Sequence, residues 1–382
     1  MYRTTAGESH GPGMVAIVGD VPAGVPLSQA LIDADLARRQ VGHGRGGRMA
    51  IESDTARVLS GVRFGRTLGS PVALLVENRD WPNWSEAMSV FGERGDTPKV
   101  TLPRPGHADL AGCQRIGTDD MRDVLERASA RETAARVAAG AIARALLAGM
   151  GVSVRSWVER IGGESCGPLA SDAVEVSMVE ASDVRCPDAA VAGRMRAAID
   201  SARETGESLG GVFVVVAEGC VPGLGGYAEA HVRLDAALAG ALVSIPAIKG
   251  VEFGDGFALA SRAGSEAHDE IVRAPDGTLR RATNHAGGLE GGMTNGEPVV
   301  VRVAMKPIPT LMRPLRTIDL ATGETADAAR ERSDVCAVPA AAVVAEAEVC
   351  LVLATAYQDL VGRTCLDDML RALEGYRARI GR

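Results

Sequence analysis

The sequence predicts an α+β fold in one continuous domain spanning residues 1–382. Three observations carry this expectation. Short Val-rich runs with alternate apolar residues are interspersed with alanine-rich segments of helical period, and the two kinds alternate too irregularly for a repeated βαβ unit. No proline-rich, low-complexity or linker-like tract divides the 382 residues, a length that admits one large domain or two to three small ones. Apolar residues at 46% and charged residues at 24% are ordinary for a globular chain that buries a sizeable core.

The elements follow in order. Residues 14–18, 71–76, 212–216 and 298–304 read as strands, being short, Val-rich and bounded by glycine or charge. Residues 27–39 read as a helix with Ser28 as its cap, and residues 189–203, 236–244, 340–357 and 365–380 as further helices. The longest helical stretch is 118–149, and it contains two start signals. Thr118 precedes Asp119 and Asp120, whereas Ser129-Ala-Arg-Glu132 is a capping-box pattern in its middle. We therefore expect a break or restart near Ser129, where freed backbone N–H groups would face an anion. The pentapeptide Ser-Ala-Arg-Glu-Thr recurs at 201–205 with unmatched flanks, so the repeat carries no weight.

Composition excludes several function classes. With 41 basic and 49 acidic residues the formal charge is -8, so nucleic acid and anionic membrane are repelled unless a local patch overrides the global field. The longest apolar stretch, 337–345, is stopped by Glu346 and Glu348, well short of the ~18 residues of a membrane span. The first residues contain no apolar h-region of a secretory signal, and the expectation is a cytoplasmic, reduced protein. Seven scattered cysteines without a C-x-x-C pair encode neither a disulfide framework nor a zinc site, so no metal is expected. Glycine is about 12% of the chain against a usual ~7%, while aromatics are only 3%. Only three of the basic residues are lysine: Lys99, Lys249 and Lys306.

Chemistry concentrates in a few glycine-laced segments. Gly7-Glu8-Ser9-His10-Gly11 places an imidazole in a loop before a strand, as a solvated loop histidine or as a general acid or base. Residues 38–48 hold Arg38, Arg39, His43, Arg45 and Arg48 among glycines with no acid. The spacing Gly42, Gly44, Gly47 matches a dinucleotide fingerprint, but a helix precedes it where a strand is required. Guanidinium on a permissive backbone fits carboxylates or phosphate; a flexible Arg-Gly loop and an RNA contact fit it too. In Arg104-Pro-Gly-His107-Ala-Asp109, Asp109 can orient the imidazole. A glycine run at 287–296 is followed, after a strand, by Lys306-Pro-Ile-Pro-Thr310. No P-loop occurs. In Arg332-Ser-Asp334 an acid stands beside an arginine ahead of an apolar helix, and a capped helix with a surface ion pair is the better local reading.

Together these segments resemble chorismate synthase. The resemblance covers nearly the whole chain in order: residues 7–11, 39–48, 104–109, Glu126-Arg-Ala-Ser-Ala-Arg-Glu-Thr133, Lys249-Gly-Val-Glu-Phe-Gly254, 287–296, Lys306-Pro-Ile308 and 332–339. It implies a layered β-α-β sandwich of antiparallel sheets enclosing helices, assembled as a homotetramer. It implies 1,4-anti elimination of phosphate from 5-enolpyruvylshikimate 3-phosphate, with reduced FMN required although no net oxidation occurs. By the same resemblance His10 is the general acid for the departing phosphate, His107 protonates or holds the reduced flavin, and Asp334 assists proton removal through the flavin. Arg39, Arg45, Arg48, Arg104 and Arg131 are the implied substrate cage; Arg39 and Arg45 are also positions associated with NADP. The implied flavin site comprises Arg127, Ala128, Ser129, Pro246, Ala247, Gly291, Lys306, Pro307, Ile308, Pro309, Thr310 and Arg332. An external flavin reductase is the expected source of reduced cofactor.

Two departures from the family pattern stand out. Gly19-Asp20 replaces a usual Glu-Gly before x-Pro, which implies a changed turn, and Pro246 stands where asparagine or glutamine is frequent, which removes a side-chain hydrogen bond to flavin. The rival readings are a flavin-independent phosphatase or phosphate-transfer enzyme with a histidine nucleophile, and an RNA-binding protein acting through residues 38–48. The acidic total and sparse aromatics oppose the latter. Residues 164–186 match weakly and are expected to form a surface excursion.

Overall fold

The structure is a computed structural model that describes residues 1–46, 54–331 and 333–381, so the expected ligands Arg48 and Arg332 lie outside the described residues. Two antiparallel sheets form its outer layers. The first joins β1 (Tyr2–Ala6), β2 (Gly13–Gly19), β3 (Ala56–Val58) and β4 (Val72–Glu77) in the order β1-β2-β4-β3. Its register pairs Met14 with Val76, Ala16 with Leu74 and Val18 with Val72, and all six side chains are buried. The alternate residues Val15, Ile17, Ala73 and Leu75 are at least partly exposed, as the two-residue period of a pleated strand requires.

The second sheet joins β5 (Ser153–Ile161), β6 (Glu164–Ser165), β7 (Gly211–Glu218), β8 (Ile248–Phe253) and β9 (Val299–Met305) in the order β8-β9-β7-β5-β6. Its central strand β7 is covered on both faces, with Phe213 through Ala217 all buried. The outer cover is a small cluster in which Val174 and Val179 pack on Trp157, Val214 and Val216. Residues 164–186 are therefore not a mere surface excursion. They supply apolar side chains that keep one face of the sheet from water, and they carry the buried Arg185.

Seven helices of eight or more residues occur among the described residues: α1 (Gln29–Gln40), α2 (Asp109–Ile116), α3 (Thr133–Gly149), α4 (Ala189–Thr205), α5 (Leu234–Val243), α6 (Val338–Val361) and α7 (Leu366–Arg379). Helix α3 packs on the first sheet, α6 on the second, and the two helices pack on each other, which gives the expected sandwich with helices enclosed. Small residues make this layer thin. A Cβ added at Gly140 of α3 would lie 2.3 Å from the Ala347 Cβ of α6, so the two backbones meet where neither carries a side chain of any size.

Helix boundaries follow local chemistry. Ser28 caps α1 by accepting a hydrogen bond from the Leu31 amide. The expected break at Ser129 is real. A short helix Arg122–Leu125 ends before it, a single 3-10 turn Ala130–Glu132 follows, and α3 starts at Thr133. Ser129 Oγ accepts from the Arg131 amide at 3.2 Å. The reciprocal half of the capping box is absent, because the Glu132 carboxylate is drawn to Thr5 Oγ1 at 2.7 Å and to Arg136 Nε at 2.7 Å.

Helix α6 is long and apolar enough to cross a membrane by length and composition, yet it lies almost wholly buried between the layers. Glu346 and Glu348, which interrupt the apolar run in the sequence, sit inside this helix and are buried. Each is neutralised. Glu346 accepts from Arg38 at 2.8 and 2.9 Å, from Arg144 at 2.6 Å and from Ser156 Oγ at 2.6 Å, with Arg185 at 3.4 Å. Glu348 pairs with Arg3 and, at 3.2 Å, with Arg136. Arg38 thus joins α1 to α6, which removes it from the anion-binding set that the Arg-Gly segment suggested.

The Gly19-Asp20 departure also has a structural consequence. Asp20 adopts a left-handed φ of 54°, a conformation that glycine enters more easily. A Cβ at Gly19 would lie 2.3 Å from the Tyr2 ring, so Tyr2 occupies the space that a larger residue would need.

Two stability outcomes follow from this layer. Gly140→Ala forces α3 and α6 apart and should cost roughly 1–3 kcal/mol in chemical denaturation. For Glu346, burial favours the neutral form, but Arg38, Arg144 and Arg185 outweigh it and hold the carboxyl at about 2, below its ordinary 4.5. A depressed folded pKa contributes stability that is complete above the unfolded value and lost as pH falls through the folded one. Denaturation midpoints should therefore fall between about pH 4.5 and 2, by on the order of 3 kcal/mol from this group, and a Glu346→Gln variant should lack that part of the loss.

Candidate active site

The first functional segment is shaped by its glycines. Gly7 has φ +114°, and a Cβ there would come within 2.3 Å of the Gly13 carbonyl, so the loop between β1 and β2 closes on itself only with glycine. This closure presses Ser9 and His10 onto the helical turn before Ser129. The Ser9 amide donates to the Glu126 carbonyl at 2.9 Å, and Ser129 Oγ donates to Ser9 Oγ at 3.1 Å. The Glu126 carboxylate takes both the His10 amide, at 2.8 Å, and the ring Nδ1, at 2.9 Å. Trp84 lies on the imidazole with ring centroids 3.9 Å apart, and Arg122 reaches Glu126 at 2.8 Å while covering the Trp84 ring. Burial pushes the Glu126 carboxyl up, but His10 and Arg122 together hold it below its usual value. The carboxylate there fixes the orientation of the imidazole through its Nδ1.

A second imidazole is held by the same logic. His107 Nδ1 lies 2.5 Å from Asp109 Oδ1, at the first turn of α2, and Arg104 brackets the same carboxylate through Nε at 2.8 Å and Nη2 at 3.0 Å. With Nδ1–H donated to Asp109, the His107 Nε2 has no protein partner among the described residues. Burial would raise the Asp109 carboxyl, yet the hydrogen bonds from His107 and Arg104 hold it far below the ordinary carboxylate range. Arg104 also donates to Thr310 Oγ1 at 3.2 Å, which ties this loop to residues 306–310 after β9.

Asp334 is the third group. It accepts from Arg45 Nη1 at 2.6 Å and from the Gly46 amide at 2.7 Å. Beside it, Arg39 donates to Thr133 Oγ1 at 2.9 Å and to the Ala130 carbonyl at 3.1 Å, and reaches Asp54 at 3.3 Å, while Arg131 meets Asp54 at 2.6 and 2.7 Å. Burial, then Arg45, and in smaller part Arg131 pull the Arg39 guanidinium down to about 10. So much convergent positive charge with one buried carboxylate between two guanidiniums is a site that gains by accepting an anion.

These groups share one cavity of about 960 Å³. It is lined by His10, His107 and Asp334, by Arg39, Arg45, Arg104 and Arg131, and by Ala128, Ser129, Pro246, Ala247, Lys306, Ile308, Pro309 and Thr310. Ala247 has a left-handed φ of 69° and accepts the Lys306 amide at 2.9 Å, so the turn before β8 and the segment after β9 are fastened to each other at the rim. Burial and then Lys249 hold the Lys306 ammonium below its usual value. The opposite wall is apolar, formed by Ala337, Ala340, Ala341 and Val344 of α6 and its approach.

Three expected flavin ligands do not line this cavity. Arg127 is turned outward and donates to the carbonyls of Thr5 and Gly7, so it braces β1. Pro307 faces solvent while its neighbours line the cavity. Gly291 lines a separate cavity with Arg281, Glu290 and Ile380. The sequence reading in turn overlooked Glu126, Trp84 and Asp54. Glu126 was visible only as part of a motif; its role depends on a contact 116 residues away in sequence, which no local spacing encodes.

A family profile described as chorismate synthase matches residues 1–358. The chain belongs to the chorismate synthase family. It is 59% identical over 378 residues to the chorismate synthase of Rubrobacter xylanophilus, covering 99% of this chain and 97% of that one. The chorismate synthase of Symbiobacterium thermophilum is 55% identical over 390 residues and is covered completely by the match. A structure titled as the crystal structure of chorismate synthase superposes with a TM-score of 0.78 at 39% identity, covering 99% of this chain and 98% of its own. The chain is accordingly a carbon–oxygen lyase of chorismate and aromatic amino acid biosynthesis. The flavin-independent phosphatase reading finds no support among these relatives. The RNA-binding reading finds no support among these relatives either.

The Arg104–Asp109–His107 cluster yields a direct test. Asp109→Asn replaces the anionic acceptor shared by Arg104 and His107 with a neutral amide, and turnover should fall by about 10²-fold in steady-state assays, within the range for a general acid or base.

Proposed function

We propose that the cavity performs the 1,4-anti elimination of phosphate from 5-enolpyruvylshikimate 3-phosphate with reduced FMN bound beside the substrate, and that its residues divide the work as follows. Arg39, Arg45, Arg104 and Arg131 bind the two carboxylates and the phosphate of the substrate. His10 carries a proton to the phosphate oxygen as the C–O bond breaks, which lowers the charge that develops on the leaving group. Its Nδ1 is held by the Glu126 carboxylate, and its ring is steadied by Trp84. Asp334, which accepts hydrogen bonds from Arg45 and the Gly46 amide, assists removal of the ring proton.

The single observation that carries this reading is the convergence of His10, His107, Asp334 and four arginines on one cavity, although they come from segments scattered through residues 10–334. The lining suits a flavin. Its volume lies at the upper end of the ~300–1,000 Å³ typical of ligand sites, as two ligands together require. Ala337, Ala340, Ala341 and Val344 offer apolar contact for a ring system, while Lys306, Thr310 and Ser129 offer polar groups for a phosphate tail. When bound, reduced FMN supplies an electron-rich partner to the substrate in a reaction with no net oxidation. His107 would face it through Nε2, its Nδ1 being committed to Asp109.

Arg39 and Arg45 are substrate ligands first in this reading; NADP association at the same positions is secondary. The reduced cofactor comes from an external flavin reductase, the protein works in the cytoplasm, and its assembly is the homotetramer that the family resemblance implies.

The deciding assay is anaerobic, with dithionite-reduced FMN and 5-enolpyruvylshikimate 3-phosphate, following chorismate absorbance. His10→Ala and His107→Ala should each lower turnover by ~10²- to 10⁴-fold while flavin titration shows retained binding. Undiminished turnover in both variants would overturn the assignment.

A further inference from the structure

We infer that His43 is a positioning residue for the elimination, acting through the loop of residues 43–46 that holds Asp334. The inference rests on the roles of Arg45 and Asp334 proposed above. His43 does not line the cavity, and no catalytic role falls on it. It stands instead where a glycine-laced loop needs a fixed point. Gly44 and Gly46 give the loop little stiffness of its own, since glycine has the widest backbone freedom of any residue. Yet this loop must present two donors to one carboxylate: Arg45 Nη1 at 2.6 Å from Asp334 Oδ2 and the Gly46 amide at 2.7 Å from Oδ1.

The loop is fastened on two sides. Toward the segment that bears Asp334, the Gly44 carbonyl accepts the Val335 amide at 2.8 Å. On the other side His43 makes two tethers, one to the segment that precedes α4 and one to α4 itself. Its amide donates to the Asp183 carbonyl at 2.8 Å, and its ring Nε2 meets Asp200 Oδ1 at 2.8 Å. The ring also faces Asp183 Oδ2 across 3.7 Å. Both carboxylates are braced in turn, Asp183 by Arg196 at 2.9 Å and Asp200 by Arg203 at 2.8 Å. Gly44 fits because a Cβ there would lie 2.6 Å from Ile199 Cγ2, one residue before Asp200. Helix α4 therefore acts as a rail against which His43 sets the height of Arg45 and Gly46. Displacing catalytic groups by about 1 Å can cost ~10²-fold in rate, so a tether outside the cavity can govern turnover inside it.

The test uses the full-length protein in the anaerobic assay with reduced FMN, comparing His43→Ala, Asp200→Ala, the double variant and His43→Gln, with Asp334→Ala as reference. His43→Ala and Asp200→Ala should each lower kcat/KM about tenfold, largely through KM as Arg45 loses its setting. The double variant should be no worse than either single one, since both remove the same contact. His43→Gln, whose amide nitrogen can still donate to Asp200, should recover activity to within about twofold of the parent. A merely structural role would lower thermal stability in all three without this rescue and without a KM-weighted loss. If Asp334→Ala is inactive while His43→Ala and Asp200→Ala match the parent, or if their losses multiply, the positioning role is wrong. If Asp334→Ala retains parental turnover, the reading of the site itself fails instead.

Discussion

Buried guanidinium is the constraint on which this structure turns. A site for a substrate with two carboxylates and a phosphate needs convergent positive charge away from water, and charge of one sign cannot be buried without local compensation. The protein meets this by setting a carboxylate against every inward arginine. Arg39 and Arg131 share Asp54, Arg104 holds Asp109, and Arg45 holds Asp334. The same device recurs where no ligand is involved, at Glu346 and Glu348 in the central helix. The arginines of this chain therefore fall into two sets, one that fixes the layers and one that faces the cavity, and α1 ends with a member of each in Arg38 and Arg39.

Small residues make the arrangement fit. Alanine and glycine in α3 and α6 let the two helices approach closely, which brings Thr133 and Ala130 at one helix start within reach of Arg39, and Ala337 to Val344 at the other against the cavity. The loops that carry the chemistry use glycine for a different reason. At Gly7 and Gly44 the backbone turns left-handed and a side chain would strike the neighbouring chain, so the position of His10 and of Arg45 depends on having none. Two imidazoles with the same carboxylate-bound Nδ1 geometry then end up on one cavity, His10 against Glu126 and His107 against Asp109. Placed in a medium of lower polarisability than water, such pairs hold their protons in defined places.

Much of this was legible from residues in order. The strands at 14–18 and 212–216 and the helix capped by Ser28 emerged near their observed limits because alternation and capping are local signals. The interruption at Ser129 was legible for the same reason, whereas Glu132 left its capping role for Arg136 and Thr5, which are contacts made by packing. The pentapeptide Ser-Ala-Arg-Glu-Thr makes the point within one chain: it breaks a helix at 129–133 and continues one at 201–205. The helix expected at 340–357 runs through both acids that interrupt the apolar run, and what no local signal encoded is that Glu346 and Glu348 would be buried there, against arginines from distant segments.

By itself the sequence determined the types of element, the α+β class, the family resemblance, and which segments hold histidine, arginine and glycine at close spacing, since each of these depends on neighbours a few residues apart. The tertiary structure alone decided that His10 meets Glu126, that Arg39 and Arg131 share Asp54, that Gly291 and Arg127 stand away from the cavity and that residues 164–186 cover a sheet. Those outcomes depend on the balance of burial against charge pairing between segments up to hundreds of residues apart. That balance is struck only when the layers close and water leaves.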